Sequence, residues 1–157
     1  MGECNVLKLL YVDDEPELAD VVVRSLRLDR GLDVRALHSG AEAIALAAEN
    51  PWRPDAVLLD VMMPDLNGPD TFTHLRDILG KQVPIIFFTA QAQRSTVQRL
   101  LAHGAAGVLI KPFEPLRLAQ DARRLIEAWP DRAALPRAAG LAHEPMLPMT
   151  CAAPVKT

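Results

Sequence analysis

The chain has 157 residues, and its 17 Lys and Arg residues against 20 Asp and Glu residues give a formal net charge of −3. This length suits one domain with a single buried core and is short for two. A charge so near balance argues against a surface that neutralises nucleic-acid phosphates, so we expect no direct nucleic-acid ligand.

Neither the cysteines nor the apolar segments indicate export or a membrane. Cys4 and Cys151 lie near opposite ends of the chain and form no disulfide-type or metal-type spacing, which favours a reducing cytosol. The first apolar run, residues 7–12, is short and leads directly into acidic residues, unlike a signal peptide. No stretch approaches the ~20 apolar residues that cross a bilayer, so we expect a cytoplasmic protein without membrane contact.

Short apolar runs alternate with segments of helical period five times in the first 129 residues. That alternation is typical of βα units around a parallel sheet, so the predicted fold class is α/β. The predicted strands are residues 7–12, 32–37, 56–59, 84–88 and 106–110. The first, third and fourth are nearly continuous in apolar residues, as expected for strands that are covered on both faces.

Five helices are predicted from apolar side chains spaced three or four residues apart. Their stripes span residues 18–26, 41–48, 72–79, 97–101 and 118–129. Ser39 and Glu42 form a capping-box pattern before the second helix. Gly31, Gly80 and Gly104 lie where helix ends need a left-handed residue.

The sequence changes character at Pro130, after which prolines are scattered through Ala-rich sequence with no sustained apolar period. We therefore divide the chain into a domain, residues 1–129, and a tail, residues 130–157. A flexible extension is the favoured interpretation of the tail, with a short helix near residues 132–139 or a partner-docking segment as alternatives. Because the tail is too short for an output domain, we expect a stand-alone domain whose output passes through partner proteins.

Acidic residues follow two of the predicted strands. Asp13 and Asp14 follow the first strand, and Asp60 follows the third. Functional groups gather at the carboxyl ends of strands in open α/β sheets, so the three carboxylates converge if these strands are neighbours. Three carboxylates raise one another's pKa unless a cation neutralises them, and a set of oxygen ligands suits Mg²⁺. The plainer alternative for the first pair is capping of the helix that begins near Pro16.

Thr89 and Lys111 end the fourth and fifth predicted strands. Taken alone, Thr89 is an ordinary β-branched residue at a strand end, and Lys111 is a solvated edge residue. At the same sheet edge as three acids, however, Lys111 becomes a counter-ion and a phosphate ligand. Pro112 permits a cis peptide bond after Lys111. Asn67 and Gly68 indicate a turn that opens the third helix.

These strand ends resemble the motifs of receiver domains of two-component response regulators. The matching segments are Val12-Asp13-Asp14-Glu15-Pro16, Leu59-Asp60-Val61-Met62-Met63-Pro64-Asp65-Leu66-Asn67-Gly68, Phe88-Thr89-Ala90 and Lys111-Pro112-Phe113. The resemblance covers about residues 6–129, with all four segments in family order. It implies a flavodoxin-like, doubly wound sheet of five parallel strands in the order 2-1-3-4-5 with five helices.

The resemblance also implies a role for each site residue. Asp60 would accept a phosphoryl group, Lys111 would contact the phosphoryl oxygens, and Thr89 would hydrogen-bond the transferred group. A divalent cation, Mg²⁺ or Mn²⁺, would be held by Asp13, Asp14, Asp60 and the main-chain carbonyl of Met62. The donor would be the phosphohistidine of a histidine kinase or a histidine phosphotransfer protein, and the downstream partner is an unknown protein. The chain would catalyse only its own phosphorylation and dephosphorylation, so it is not expected to be an enzyme.

One position departs from the family pattern. Val108 lies three residues before Lys111, where the family often has an aromatic residue, so the usual aromatic switch coupled to Thr89 is in doubt. This departure and the unusual tail keep open a receiver-like interaction module that signals without phosphorylation, although the retained acids argue against it. Homodimerisation through the fourth and fifth helices is compatible with the sequence.

Two enzymatic or nucleotide-binding alternatives are weaker. A haloacid-dehalogenase-type phosphohydrolase would need a second Asp two residues after Asp60, where this chain has Met62. A nucleotide-binding domain would need a glycine-rich loop after the first strand, where this chain has acids.

Overall fold

Five strands alternate with five helices in a computed structural model that describes residues 6–49, 51–64 and 66–130. The strands are β1 (Leu7–Val12), β2 (Leu32–Leu37), β3 (Ala56–Asp60), β4 (Ile85–Thr89) and β5 (Gly107–Ile110). The helices are α1 (Pro16–Leu26), α2 (Gly40–Glu49), α3 (Gly68–Leu79), α4 (Arg94–Ala102) and α5 (Leu118–Ala128). Asp65, both cysteines and residues 131–157 of the predicted tail lie outside the described residues.

All five strands are parallel and lie in the order β2-β1-β3-β4-β5, which confirms the predicted fold class. The register aligns the carboxyl ends of the central strands. Val12 pairs with Leu59, Asp60 pairs with Phe88, and Thr89 pairs with Ile110. The residues that end β3 and β4 and those that follow β1 and β5 therefore meet along one edge of the sheet.

The sheet is covered on both faces, which explains its nearly continuous apolar strands. Successive side chains of a strand point to opposite faces. Leu9 and Tyr11 of β1 pack under α1 and α5, whereas Leu10 and Val12 pack under the helices of the other face, and all four side chains are fully buried. Burial of one such side chain stabilises the fold by roughly 1.5–3 kcal/mol. This packing makes the sheet a rigid platform for the residues at its edge.

Side chains cap two of the helices as their sequences predict. The Oγ of Ser39 accepts the Glu42 N–H at 3.1 Å, whereas the Glu42 carboxylate accepts the His38 N–H at 3.0 Å. The capping box before α2 therefore differs from its usual form in one bond, because the Glu42 carboxylate binds the N–H of His38 and not that of Ser39. At α3, the Asn67 side chain accepts the Asp70 N–H at 2.9 Å, so the predicted turn is also the cap of the helix.

The glycine predictions are confirmed at two positions and wrong at the third. Gly80 and Gly104 have φ angles of 88° and 115°, as helix ends with left-handed residues require. Gly31 does not have a positive φ. A Cβ at Gly31 would lie 2.5 Å from Nη2 of Arg123, so a larger residue there would displace the end of this flexible side chain.

None of the described helices is long and apolar enough to cross a bilayer.

Candidate functional site

The three predicted acids converge at the carboxyl edge of the sheet because β1 and β3 are neighbours. One carboxylate oxygen from each of Asp13, Asp14 and Asp60 lies within 4.8 Å of the other two. Asp13 is fully buried, Asp60 is 4% exposed, and Asp14 is half-buried. Buried carboxylates at this spacing need a cation, and an oxygen-only donor set matches the ligand preference of Mg²⁺.

Lys111 reaches into this group of acids from β5. Its Nζ lies 3.1 Å from Oδ2 of Asp13 and 3.2 Å from Oδ1 of Asp60, and its side chain is only 15% exposed. The ammonium also lies 5.0 Å from the ring centroid of Phe88. The Lys111–Pro112 peptide bond is cis, as the sequence permits. The interpretation of Lys111 as a solvated edge residue is therefore wrong.

The charges at this edge do not balance, because one ammonium faces three carboxylates. Burial and the negative charge of Asp13 raise the pKa of Asp60 to about 6 from 3.8, although Lys111 pulls it down. Burial alone would lower the pKa of Lys111, but the charges of Asp60 and Asp13 outweigh burial and raise it. Lys111 therefore stays protonated, and the excess negative charge favours binding of a divalent cation.

Asp13 is held by three donors. Its Oδ1 accepts the Glu15 N–H at 3.0 Å, and its Oδ2 accepts from both Lys111 and the hydroxyl of Tyr11. The N-cap of α1 is Glu15, whose side chain makes no capping hydrogen bond. Capping of α1 is therefore not the role of Asp13, which instead fixes the turn before the helix.

Tyr11 was not predicted to belong to the site. Its hydroxyl donates to Asp13 Oδ2, and the pKa of this hydroxyl is raised by burial and by the neighbouring carboxylates. The sequence carries a signal for this contact, since Tyr11 and Asp13 are two residues apart at the end of a strand and so point to the same face. His38 was also not predicted. Its Nδ1 lies 3.1 Å from the carbonyl oxygen of Asp13.

Thr89 lies at the same edge but is not hydrogen-bonded to the acids in the described contacts. It is buried at the end of β4, and its Oγ1 accepts the Gln91 N–H at 3.0 Å within its own loop.

Val108 lies on β5, where it pairs with Phe87 of β4, and it packs against the core on the face of the sheet that α3 covers. The structure thus places an aliphatic side chain where an aromatic switch residue would stand.

The loop after Asp60 closes tightly against the end of β3. Gly68 donates its N–H to the Val61 carbonyl at 2.9 Å. A Cβ at Gly68 would lie 2.6 Å from the carbonyl oxygen of Asp60, so no larger residue fits there without movement. Met62, which was predicted to contribute its carbonyl, lies in this loop with a side chain that is 65% exposed.

Comparison with known proteins shows the family of the chain. The model of the response regulator receiver domain matches residues 9–123. The DNA-binding response regulator MtrA of Mycolicibacterium smegmatis is 38% identical over 116 residues, which cover 74% of this chain and 49% of MtrA. This chain therefore spans about half the length of the curated relatives it matches.

Solved structures agree with this result. The chemotaxis protein CheY4 of Vibrio cholerae has a TM-score of 0.68 and 32% identity, covering 76% of this chain and 98% of CheY4. The receiver domain of the sensor histidine kinase PA1611 of Pseudomonas aeruginosa, with a magnesium ion in its active-site cleft, has a TM-score of 0.68 and 31% identity, covering 78% of this chain and 99% of that one. The match to the family model, the identity of the relatives and the shared fold together show that this chain belongs to the response regulator receiver domain family.

Proposed function

We propose that the chain is a cytoplasmic phosphoacceptor of a two-component phosphorelay, which takes a phosphoryl group from a phosphohistidine onto Asp60. The observation that carries this proposal is the contact of one Lys111 ammonium with both Asp13 and Asp60, where three carboxylates converge. A buried carboxylate beside a cation-binding group and a lysine has what a phosphoryl acceptor needs, namely a nucleophile and compensation for the incoming charge.

The acids and the loop after β3 would form the cation site. Asp13, Asp14, Asp60 and the main-chain carbonyl of Met62 would hold Mg²⁺ or Mn²⁺. When bound, the ion would neutralise the carboxylates and the oxygens of the entering phosphoryl group. The magnesium ion in the cleft of the PA1611 receiver domain supports this assignment.

In the transfer step, an oxygen of Asp60 attacks phosphorus in line while the P–N bond to the donor imidazole breaks and an acyl phosphate forms. Lys111 then exchanges its contact with Asp60 Oδ1 for a phosphoryl oxygen. The hydroxyl of Thr89 acts as an acceptor towards Gln91, so its own proton is free to be donated to the phosphoryl group. The chain acts only on itself in this scheme, both in phosphorylation and in dephosphorylation.

Protein partners would act at the site and beyond it. An apolar depression adjoins Lys111, and we propose it as the docking surface of a histidine kinase or a histidine phosphotransfer protein. The depression is lined by Leu18, Val21, Ala90, Pro112, Phe113 and Pro115. We propose that output reaches an unknown downstream protein and that the chain forms no direct contact with nucleic acid.

Intact-mass measurement tests the acceptor directly. The wild type, Asp60→Asn and the control Asp20→Asn, which alters an exposed acid of α1, are incubated with Mg²⁺ and acetyl phosphate, with and without EDTA. We expect a metal-dependent gain of one phosphoryl group in the wild type and in Asp20→Asn, and none in Asp60→Asn. If the folded wild type gains nothing, even from a phosphorylated histidine donor, then the proposal is wrong and the phosphorylation-independent interaction module takes its place.

A further inference from the structure

Tyr11 is the only tyrosine of the chain, and it is fully buried in β1. Its ring packs edge-on against Phe88 with the centroids 6.2 Å apart. Its hydroxyl reaches along the strand to Oδ2 of Asp13, two residues ahead on the same face. The only polar atom of this buried side chain is thus directed at an acid of the candidate cation site.

Among the three donors to Asp13, the hydroxyl of Tyr11 is the one that stays on Oδ2 alone. Lys111 divides its ammonium between Asp13 and Asp60, and in the proposed function it turns to the phosphoryl group. The Glu15 N–H binds the other oxygen, Oδ1. The ring of Tyr11 is fixed in the core, so its hydroxyl remains on Oδ2 whichever partner Lys111 takes.

We propose that Tyr11 is a positioning residue of the cation site, whose hydroxyl holds the Asp13 carboxylate in the orientation that a divalent cation requires. Groups that hydrogen-bond to metal ligands orient them and commonly change metal affinity when they are removed. A Phe would fill nearly the same volume without needing a polar partner, so core packing alone does not require the hydroxyl. The inference deepens the proposed function but concerns cation binding, which is measured separately from phosphorylation.

Calorimetric titration with Mg²⁺ tests the role of the hydroxyl. Tyr11→Phe keeps the ring and removes only the donor, and we expect Mg²⁺ to bind about tenfold more weakly. The Mg²⁺ concentration for half-maximal phosphorylation by acetyl phosphate should rise by the same factor, with a change of no more than about twofold in the maximal rate. Ser25→Ala is the matched control, because Ser25 is buried and donates its hydroxyl to Val21 O at 2.9 Å on the far part of α1. This control should bind Mg²⁺ as the wild type does.

A spectroscopic measurement gives a second, independent test. Because the chain has one tyrosine, ¹³Cζ-tyrosine labelling yields a single resonance, which should shift on addition of Mg²⁺ and saturate with the calorimetric isotherm. Unchanged Mg²⁺ affinity in Tyr11→Phe would show that Tyr11 only fills the core and would overturn the inference. A wild-type resonance that Mg²⁺ does not move would overturn it as well. If Tyr11→Phe does not fold, the resonance of the wild type decides alone.

The two proposals fail in different ways. A wild type that is never phosphorylated, but whose Mg²⁺ affinity drops tenfold in Tyr11→Phe, would refute the phosphoacceptor and leave the role of Tyr11 standing. Phosphorylation of Asp60 with the same Mg²⁺ affinity in both proteins would overturn the role of Tyr11 alone.

Discussion

Two buried or half-buried ion clusters lie at opposite edges of the sheet, and they are built differently. The site cluster at the carboxyl edge joins Lys111 to Asp13 and Asp60. The clamp cluster at the amino edge joins Arg123 of α5 to Asp29 in the connection between α1 and β2, with Nε–Oδ2 and Nη2–Oδ1 distances of 2.6 and 3.2 Å. Each ties together residues that are more than 90 positions apart, 98 for Lys111 and Asp13 and 94 for Arg123 and Asp29.

The clusters differ in how well their charges are satisfied. In the clamp cluster a planar guanidinium binds a carboxylate through two parallel hydrogen bonds, both side chains are 25% exposed, and water can reach them. In the site cluster one ammonium faces three carboxylates, and burial and Asp13 raise the pKa of Asp60 to about 6. The clamp therefore contributes to stability, whereas the site keeps an excess of negative charge that opposes folding until a cation binds.

The largest effect should come from removing the ammonium of the site cluster. Lys111→Met leaves buried carboxylates without their counter-ion, and we expect a loss of about 3 kcal/mol in the free energy of unfolding at pH 7. Urea denaturation measures this loss. Because protonation of Asp60 relieves the repulsion, the deficit should shrink as the pH falls from 7 to 4. A variant as stable as the wild type at pH 7 would mean that water already compensates these charges.

Removal of one negative charge from the site cluster should instead increase the free energy of unfolding. The folded pKa of Asp60 is about 6 and its ordinary value is 3.8, so ionisation of Asp60 costs stability as the pH rises from about 4 to about 6. Asp60→Asn should therefore be more stable than the wild type by up to about 3 kcal/mol at pH 7. The difference should vanish below pH ~4 and stay constant above pH ~6. Thermal or urea unfolding across this range checks it, and a difference that grows towards low pH would contradict it.

Substitutions in the clamp cluster should change the free energy of unfolding by less, and the change should not depend on Mg²⁺. Asp29→Ala removes the carboxylate from Arg123, and we expect a loss of about 1 kcal/mol because the pair is half-buried and bidentate. The matched control is Asp20→Ala, since Asp20 pairs with Arg24 at 3.1 Å and these side chains are 62% and 80% exposed. The control should lose less than about 0.5 kcal/mol. Mg²⁺ should leave both losses unchanged, and an Asp29→Ala loss no larger than that of the control would refute the clamp.

Much of the site could be predicted from local sequence. The predicted strands lie within a residue or so of the observed ones, and the acids, Thr89 and Lys111 lie at the strand ends where they were expected. Their roles, the contribution of Met62 and the nature of the tail stay predictions. The hydrogen bond from Tyr11 to Asp13 was missed because pattern analysis counts a buried tyrosine as core. The left-handed conformation predicted for Gly31 was wrong, because glycine permits a positive φ without requiring one.

By itself, the sequence determined the α/β class and the sites of helix and strand ends, because periodicity, capping and turn chemistry act between residues a few positions apart. The family was indicated separately, by the resemblance of four strand-end segments to receiver motifs. Only the tertiary structure decided that Lys111 contacts two acids at once, that burial raises the pKa of Asp60, and that the Tyr11 hydroxyl donates to Asp13. Those features depend on strand order and on exclusion of water. Both arise when segments 50 to 100 positions apart pack together, as the separations of 51 and 98 positions between Lys111 and its two acids show.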